Sequence, residues 1–195
     1  MNGPTLVRIS VFACAVLAAV IALLAGTDEP YDRVATMHMR ATGAELQDRP
    51  AIPFTLSDLD GRPVSLSDFA GDVVFLNFWA SWCPPCVEEF PAMITLTEQI
   101  GDRPFTMIAV TQDEDPEALA AFLRQVNLPN GRIVLLQDPT GELAQQYGTV
   151  RLPETYIIDP RGLVVARYQG ARNWLDLPHR QLLERLMRHP WRAEG

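Results

Sequence analysis

Histidine and cysteine are both scarce in this chain, three of each among 195 residues, and that scarcity removes whole classes of chemistry. A structural zinc site needs four ligands, so the lone Cys83-x-x-Cys86 pair would require a second Cys or His pair at compatible spacing. None is present: Cys14 lies in an apolar run near the N-terminus, and His38, His179 and His189 are scattered. No metal site is expected. Basic residues are outnumbered as well, 16 Lys+Arg against 24 Asp+Glu for a formal charge of −8. With no basic cluster to track a phosphate backbone, no nucleic acid is expected as a partner. There are no internal repeats, and 48% hydrophobic side chains suffice for one core plus an appendage.

The appendage is residues 9–25, ISVFACAVLAAVIALLA, which hold neither charge nor proline and would reach about 25 Å as a helix, enough for a membrane span. Arg8 and the amino terminus precede it, and Asp28, Glu29 and Asp32 follow. That asymmetry keeps the N-terminus cytoplasmic and exports the rest. A cleaved signal peptide is the competing reading, but Leu23 fits a small-residue cleavage site poorly, and Cys14 reads as a small apolar residue inside the span. The expected organisation is a signal-anchor helix over 1–26, a flexible polar tether over 27–50 ending in proline, and a globular domain over 51–195. This places the protein in the cytoplasmic (inner) membrane as a single-pass protein, with its domain on the periplasmic, extracytoplasmic side.

Within the domain, turn dipeptide Asp60-Gly61 sits between two short strand-like runs and predicts a hairpin. Val73 to Phe78 (VVFLNF) and Phe105 to Val110 (FTMIAV) are continuous apolar runs of the kind covered on both faces. The segment from Pro85 to Ile100 carries Phe90, Met93, Ile94 and Leu96 at helical spacing, with a kink expected at Pro91. A second helix opens with Asp115 as N-cap and Pro116 at its first position, its inner face formed by Leu119, Phe122, Leu123 and Val126. Ile133 to Leu136 reads as a strand, and Thr140 as the cap of a short helix ending at Gly148. TYIID and LVVARYQ around Pro160-Arg161-Gly162 predict an antiparallel hairpin, and Leu182, Leu183, Leu186 and Met187 line a final helix. The alternation implies an α/β fold with a central mixed sheet and helices on both faces.

The stretch NFWASWCPPCVEEFP, residues 77–91, holds the chemistry. A Cys83–Cys86 disulfide would close so short a loop that its effect on chain entropy is minimal, so stability alone does not explain it. A redox couple explains more: a strand, tight turn and helix place Cys83 at a helix N-terminus, where partial positive charge favours a thiolate, with Cys86 one turn inside to resolve a mixed disulfide. Pro84 and Pro85 lack N–H groups that would stabilise that thiolate, and Glu88 and Glu89 add negative potential. Both effects favour a reductant over a strong oxidant. Glu89, three residues after Cys86 and on the same helical face, either relays a proton or complements the helix dipole; the residues alone leave both readings open.

The FWASWCPPC stretch, followed by C-x-x-E-F-P at Cys86 to Pro91 and by RLPETYIID some seventy residues later, resembles the thioredoxin superfamily, and within it the membrane-anchored TlpA/ResA/CcmG-type thiol-disulfide oxidoreductases. The resemblance covers about residues 51–190. It implies a thioredoxin-like three-layer fold with an N-terminal β-hairpin and a central strand-helix insert over residues 127–147. It further implies Cys83 as exposed nucleophile, Cys86 as resolving thiol, Glu89 as proton-transfer group, and Pro153 after Leu152 as a cis-proline presenting backbone to the partner. Trp82 would cover the disulfide, and Trp79 would support the core behind it. The only cofactor implied is the redox-active Cys83–Cys86 disulfide. The partners implied are disulfide-containing exported proteins, among them apocytochrome c and copper-site proteins, and a membrane electron donor of the DsbD or CcdA kind. One departure from thioredoxin is Asn77, which stands where a buried aspartate would fall and cannot titrate.

Two other functions compete. Met37-His38-Met39 offers soft ligands for a copper-handling module acting with the thiolates. A peroxidase on the same fold would carry Thr or Ser three residues before its cysteine and Pro seven before it, as peroxiredoxins do; Ala80 and Leu76 occupy those positions.

Overall fold

The computed structural model describes residues 37, 39–126, 128 and 133–188. In chain order the strands are β1 (Glu45–Pro50), β2 (Thr55–Asp58), β3 (Pro63–Ser65), β4 (Val73–Trp79), β5 (Phe105–Thr111), β6 (Ile133–Gln137), β7 (Glu154–Ile158) and β8 (Leu163–Gln169). The helices are α1 (Pro84–Ile100), α2 (Pro116–Leu123), α3 (Glu142–Tyr147) and α4 (Leu177–Arg188). The strands form one mixed sheet in the order β1-β8-β7-β4-β5-β6-β2-β3. β4, β5 and β6 are parallel, while β7 and β8 run antiparallel on the other side of β4. Mid-sheet placement accounts for the apolar run of β4, which is buried at all seven positions.

The pleat sorts β4 onto two faces. Val74, Leu76 and Phe78 join Leu143, Ala144 and Tyr147 of α3 in one core. Phe75 meets Trp174, and Trp79 meets Phe90 of α1 and Phe122 of α2, on the opposite face. Right-handed crossovers explain why α1 and α2 share a face, since β4 to β5 and β5 to β6 step in one direction between parallel strands; α3, on the return to antiparallel β7, packs on the other face. Helices cover both faces, and the central strand-helix insert takes the form of β6 and α3. The expected hairpins are present as β2–β3, with Gly61 at φ 81°, and as β7–β8. Helix α1 runs unbroken through Pro91. In α2 only Leu119 and Phe122 are buried, Leu123 and Val126 being only partly so.

Two expectations need correction. The tether does not extend to Pro50, because Glu45–Pro50 is a strand paired with β8. Met39 is already buried, and the Thr42 hydroxyl lies 2.7 Å from that of Tyr168. ELQDRP has no apolar period because this edge strand is anchored by backbone pairing and charge: Arg167 bonds both Glu45 and buried Glu154, and the Arg49 guanidinium lies over the rings of Tyr147 and Tyr156. The second correction concerns α3, which begins at Gly141 in a left-handed conformation. Its first amides are held by the carboxylate of Asp138, accepting from Glu142 N–H at 3.0 Å and Ala144 N–H at 3.2 Å. Thr140 is not the cap residue. Among the described residues no helix is long and apolar enough to cross a membrane; the run 9–25 lies outside those residues.

Candidate active site

Cys83 is the N-cap of α1, in extended conformation, with Pro84 and Pro85 opening the helix. It is joined to Cys86 by a disulfide, the Cα atoms 5.3 Å apart. The first amides free to turn back, those of Cys86 and Val87, both donate to the Cys83 carbonyl, at 3.0 and 3.1 Å. Cys83 is only 5% exposed and Cys86 1%, so the expected exposed nucleophile is recessed, and it borders a cleft of about 490 Å³. Trp82, Leu152 and Val150 line the same cleft; Trp82 is 63% and Val150 88% exposed. The Leu152–Pro153 peptide is cis, and the Pro153 carbonyl accepts from Gly170 N–H at 2.9 Å. Arg151 is the one charged residue among the described residues that line the cleft. Trp79 is fully buried behind the turn.

Two buried carboxylates flank this turn. Asp113, just past the C-terminal end of β5, accepts from Ser81 N–H at 2.9 Å, from the Ser81 hydroxyl at 2.6 Å and from the Thr111 hydroxyl. Both of its oxygens are engaged, and the loop leading into Cys83 is fixed. Glu89, 5% exposed, sits one turn beyond Cys86. Its Oε2 accepts from Arg172 N–H at 3.0 Å and from the Trp174 indole N–H at 3.1 Å. Its Oε1 has a 3.4 Å contact from Asn77 Nδ2, which also donates to the Thr155 hydroxyl at 2.9 Å. Burial pushes the Glu89 pKa up to about 7, outweighing the hydrogen bonds and the Arg172 charge that favour its ionised form.

The structure thus brings Trp82, Cys83, Cys86, Glu89, Leu152 and Pro153 to one end of the sheet. It does not make an open ligand set of the Met-His-Met triplet: Met37 is exposed and Met39 buried, and His38 lies outside the described residues. Ala80 and Leu76 are fully buried and supply no hydroxyl to the cysteine. Sequence reasoning missed Asp113, Arg151, Thr155, Arg172 and Trp174. Asp113 had a signal, since polar residues just past the ends of parallel strands face the site in open α/β sheets. Arg172 acts through a backbone amide, which no side-chain pattern reports.

Comparison with known proteins agrees with this geometry. Residues 48–167 match the AhpC/TSA family. The chain is 36% identical over 119 residues to the thiol-disulfide oxidoreductase ResA of Bacillus thuringiensis subsp. konkukian, covering 61% of this chain and 67% of that one. Among solved structures it is similar to a thiol:disulfide interchange protein DsbE from Chlorobium tepidum, with TM-score 0.65 and 31% identity, covering 72% of this chain and 97% of that one. It is also similar to the thioredoxin domain of a thiol-disulfide oxidoreductase from Bacteroides vulgatus, with TM-score 0.62 and 26% identity over 73% and 99% of the two chains. The disulfide at the start of α1, the mixed sheet and these matches lead to one assignment: the chain belongs to the AhpC/TSA family and is a thioredoxin-like, ResA-type thiol-disulfide oxidoreductase.

Proposed function

We propose that the enzyme works as a reductase, tethered to the cytoplasmic membrane by residues 9–25, and acts on disulfides of exported proteins. The observation that carries the direction is the surroundings of Cys83. Pro84 and Pro85 have no N–H to offer, and the next amides are spent on the Cys83 carbonyl, so the thiolate receives little of the stabilisation that makes a dithiol hard to oxidise. Cys83 thiolate attacks the substrate disulfide; that S–S bond breaks, and one substrate sulfur leaves and is protonated by water. Cys86 then attacks Cys83 Sγ, releasing the second substrate sulfur and closing the Cys83–Cys86 disulfide, so that two electrons pass to the substrate. Glu89 takes the Cys86 proton in this step and returns it when the disulfide is reduced again.

Trp82, Val150 and Leu152 form the apolar rim on which a partner segment lies, with the backbone at Leu152–Pro153 as its pairing edge. Electrons come from a membrane reductase of the DsbD or CcdA kind, and apocytochrome c and copper-site proteins are the substrates that the family resemblance supplies. The test is the reduction potential of the whole chain in detergent, equilibrated against defined thiol buffers. A value near about −270 mV supports the reductase; one near about −120 mV makes the enzyme an oxidant. Cys86→Ser traps mixed disulfides through Cys83, and a failure to trap any partner in cells counts against these two roles.

A further inference from the structure

Glu89 is held by a segment far from it in sequence. The turn after β8 brings Arg172 N–H and Trp174 Nε1–H onto the same oxygen, Oε2, at 3.0 and 3.1 Å. Trp174 is 1% exposed and clamped by rings: Phe75 at 4.6 Å, His179 at 5.0 Å and Tyr168 at 5.2 Å between centroids. A carboxylate oxygen has two lone-pair directions, and both are filled on Oε2. Among the described residues Oε1 has only the long Asn77 contact. Beside it, Asn77 Oδ1 is buried without a hydrogen-bond partner among the described residues.

We infer that Trp174 is a positioning residue for proton transfer by Glu89: with Arg172 N–H it saturates Oε2, so that Oε1 is the oxygen that gains and loses the proton. Asn77 completes the device. It donates from Nδ2 to ionised Oε1, and rotation of its amide presents Oδ1 to a protonated Oε1. The Thr155 hydroxyl donates or accepts and so matches either orientation. A neutral amide thereby serves both protonation states, which an aspartate at position 77 would not do.

Among the described residues, the charged and titratable groups around this well lie on α1 and in the turn after β8, where Asp176 acts on His179. On α1 they are Cys86 and Glu88, and past β8 the Arg172 side chain. Tyr168 and His179 face the Trp174 ring. Burial pushes the Tyr168 hydroxyl up to about 12 and lowers the His179 pKa.

The inference rests on Glu89 as the proton-transfer group, and the experiment separates the two claims. In the full chain in detergent micelles, labelled with nitrogen-15 and with carbon-13 at glutamate carboxyls, the Trp174 indole N–H resonance is expected to titrate with the midpoint of the Glu89 carboxyl carbon. Trp174→Phe keeps ring packing and removes the donor; it is expected to move that midpoint, and the pH–rate profile of thiol exchange, about one pH unit upward. In a Glu89→Gln background the same substitution is expected to move nothing further. If Glu89→Gln removes the pH dependence but Trp174→Phe leaves the midpoint in place, the positioning role falls and the role of Glu89 stands. If Glu89→Gln leaves the profile unaltered, both fall. Should Trp174→Phe not fold, the indole titration in the unmodified chain decides, and a resonance that stays flat through the Glu89 midpoint overturns the inference.

Discussion

Asp113 and Glu89 are both buried carboxylates beside the dithiol turn, yet they are set up for opposite ends. Both oxygens of Asp113 meet donors at ordinary or short range, from the Ser81 amide and hydroxyl and from Thr111. Glu89 has one saturated oxygen and one with a single contact at 3.4 Å. A carboxylate with a close donor on each oxygen fixes the backbone around it, whereas one met only at long range on a single oxygen has a reason to bind a proton. The difference lies in how closely the partners approach, not in residue type, and on the proposed function it separates an acid that fixes a loop from one that moves a proton.

The largest expected effect sharpens that contrast. Glu89→Gln is expected to slow thiol-disulfide exchange by about 100-fold at neutral pH, in the range of a lost general acid–base group. Its effect on stability depends on pH. The Glu89 pKa is about 7 folded against 4.5 for the free side chain, so below 4.5 both states are protonated and the carboxyl carries no ionisation penalty. Between these values the unfolded chain loses its proton first, and with rising pH the folded state loses up to about 3 kcal/mol of relative stability. Urea unfolding of parent and Glu89→Gln at pH 5 and pH 8 is expected to show the variant gaining on the parent at the higher pH. A constant difference between the two would mean that Glu89 is not a protonation site in this range.

Asp113→Asn tests the other side. The replacement puts an NH2 where donors already converge, and a cost of about 2 kcal/mol is expected. Because this carboxylate acts by fixing the Ser81 loop, exchange is expected to slow without any displacement of the pH–rate profile. A profile that shifts would erase the distinction between the two acids.

How far the sequence foretold this site follows the same division between local and distant partners. Cys83, Cys86 and Glu89 were legible because two successive turns of one helix carry all three, and Leu152–Pro153 through the family resemblance. β4 and β5 were legible as apolar runs that only a mid-sheet strand explains. β1 was not, since an edge strand held by Arg49 and Arg167 has no apolar period to detect. The cap of α3 went to Thr140 by proximity, whereas Asp138 reaches over the intervening Gly141 turn to the amides of Glu142 and Ala144. Trp174 lies 85 residues from Glu89, and only the fold reveals that its indole N–H points at a carboxylate.

Ser81→Ala is the smallest and most selective probe of the comparison. It deletes one donor at 2.6 Å from Asp113 Oδ1 and leaves the Ser81 amide and the Thr111 hydroxyl on Oδ2. Asp113 then resembles Glu89, with one oxygen saturated and one short of partners. A loss of about 1 kcal/mol in denaturant unfolding is expected. If the Ser81 hydroxyl helps Asp113 fix the loop that leads into Cys83, thiol-disulfide exchange is also expected to slow in Ser81→Ala, with no displacement of the pH–rate profile. Unaltered exchange and stability would mean that water replaces the lost hydroxyl, and that the Ser81 amide and the Thr111 hydroxyl on Oδ2 suffice to hold the loop, so that a close partner on each oxygen is not what distinguishes Asp113 from Glu89.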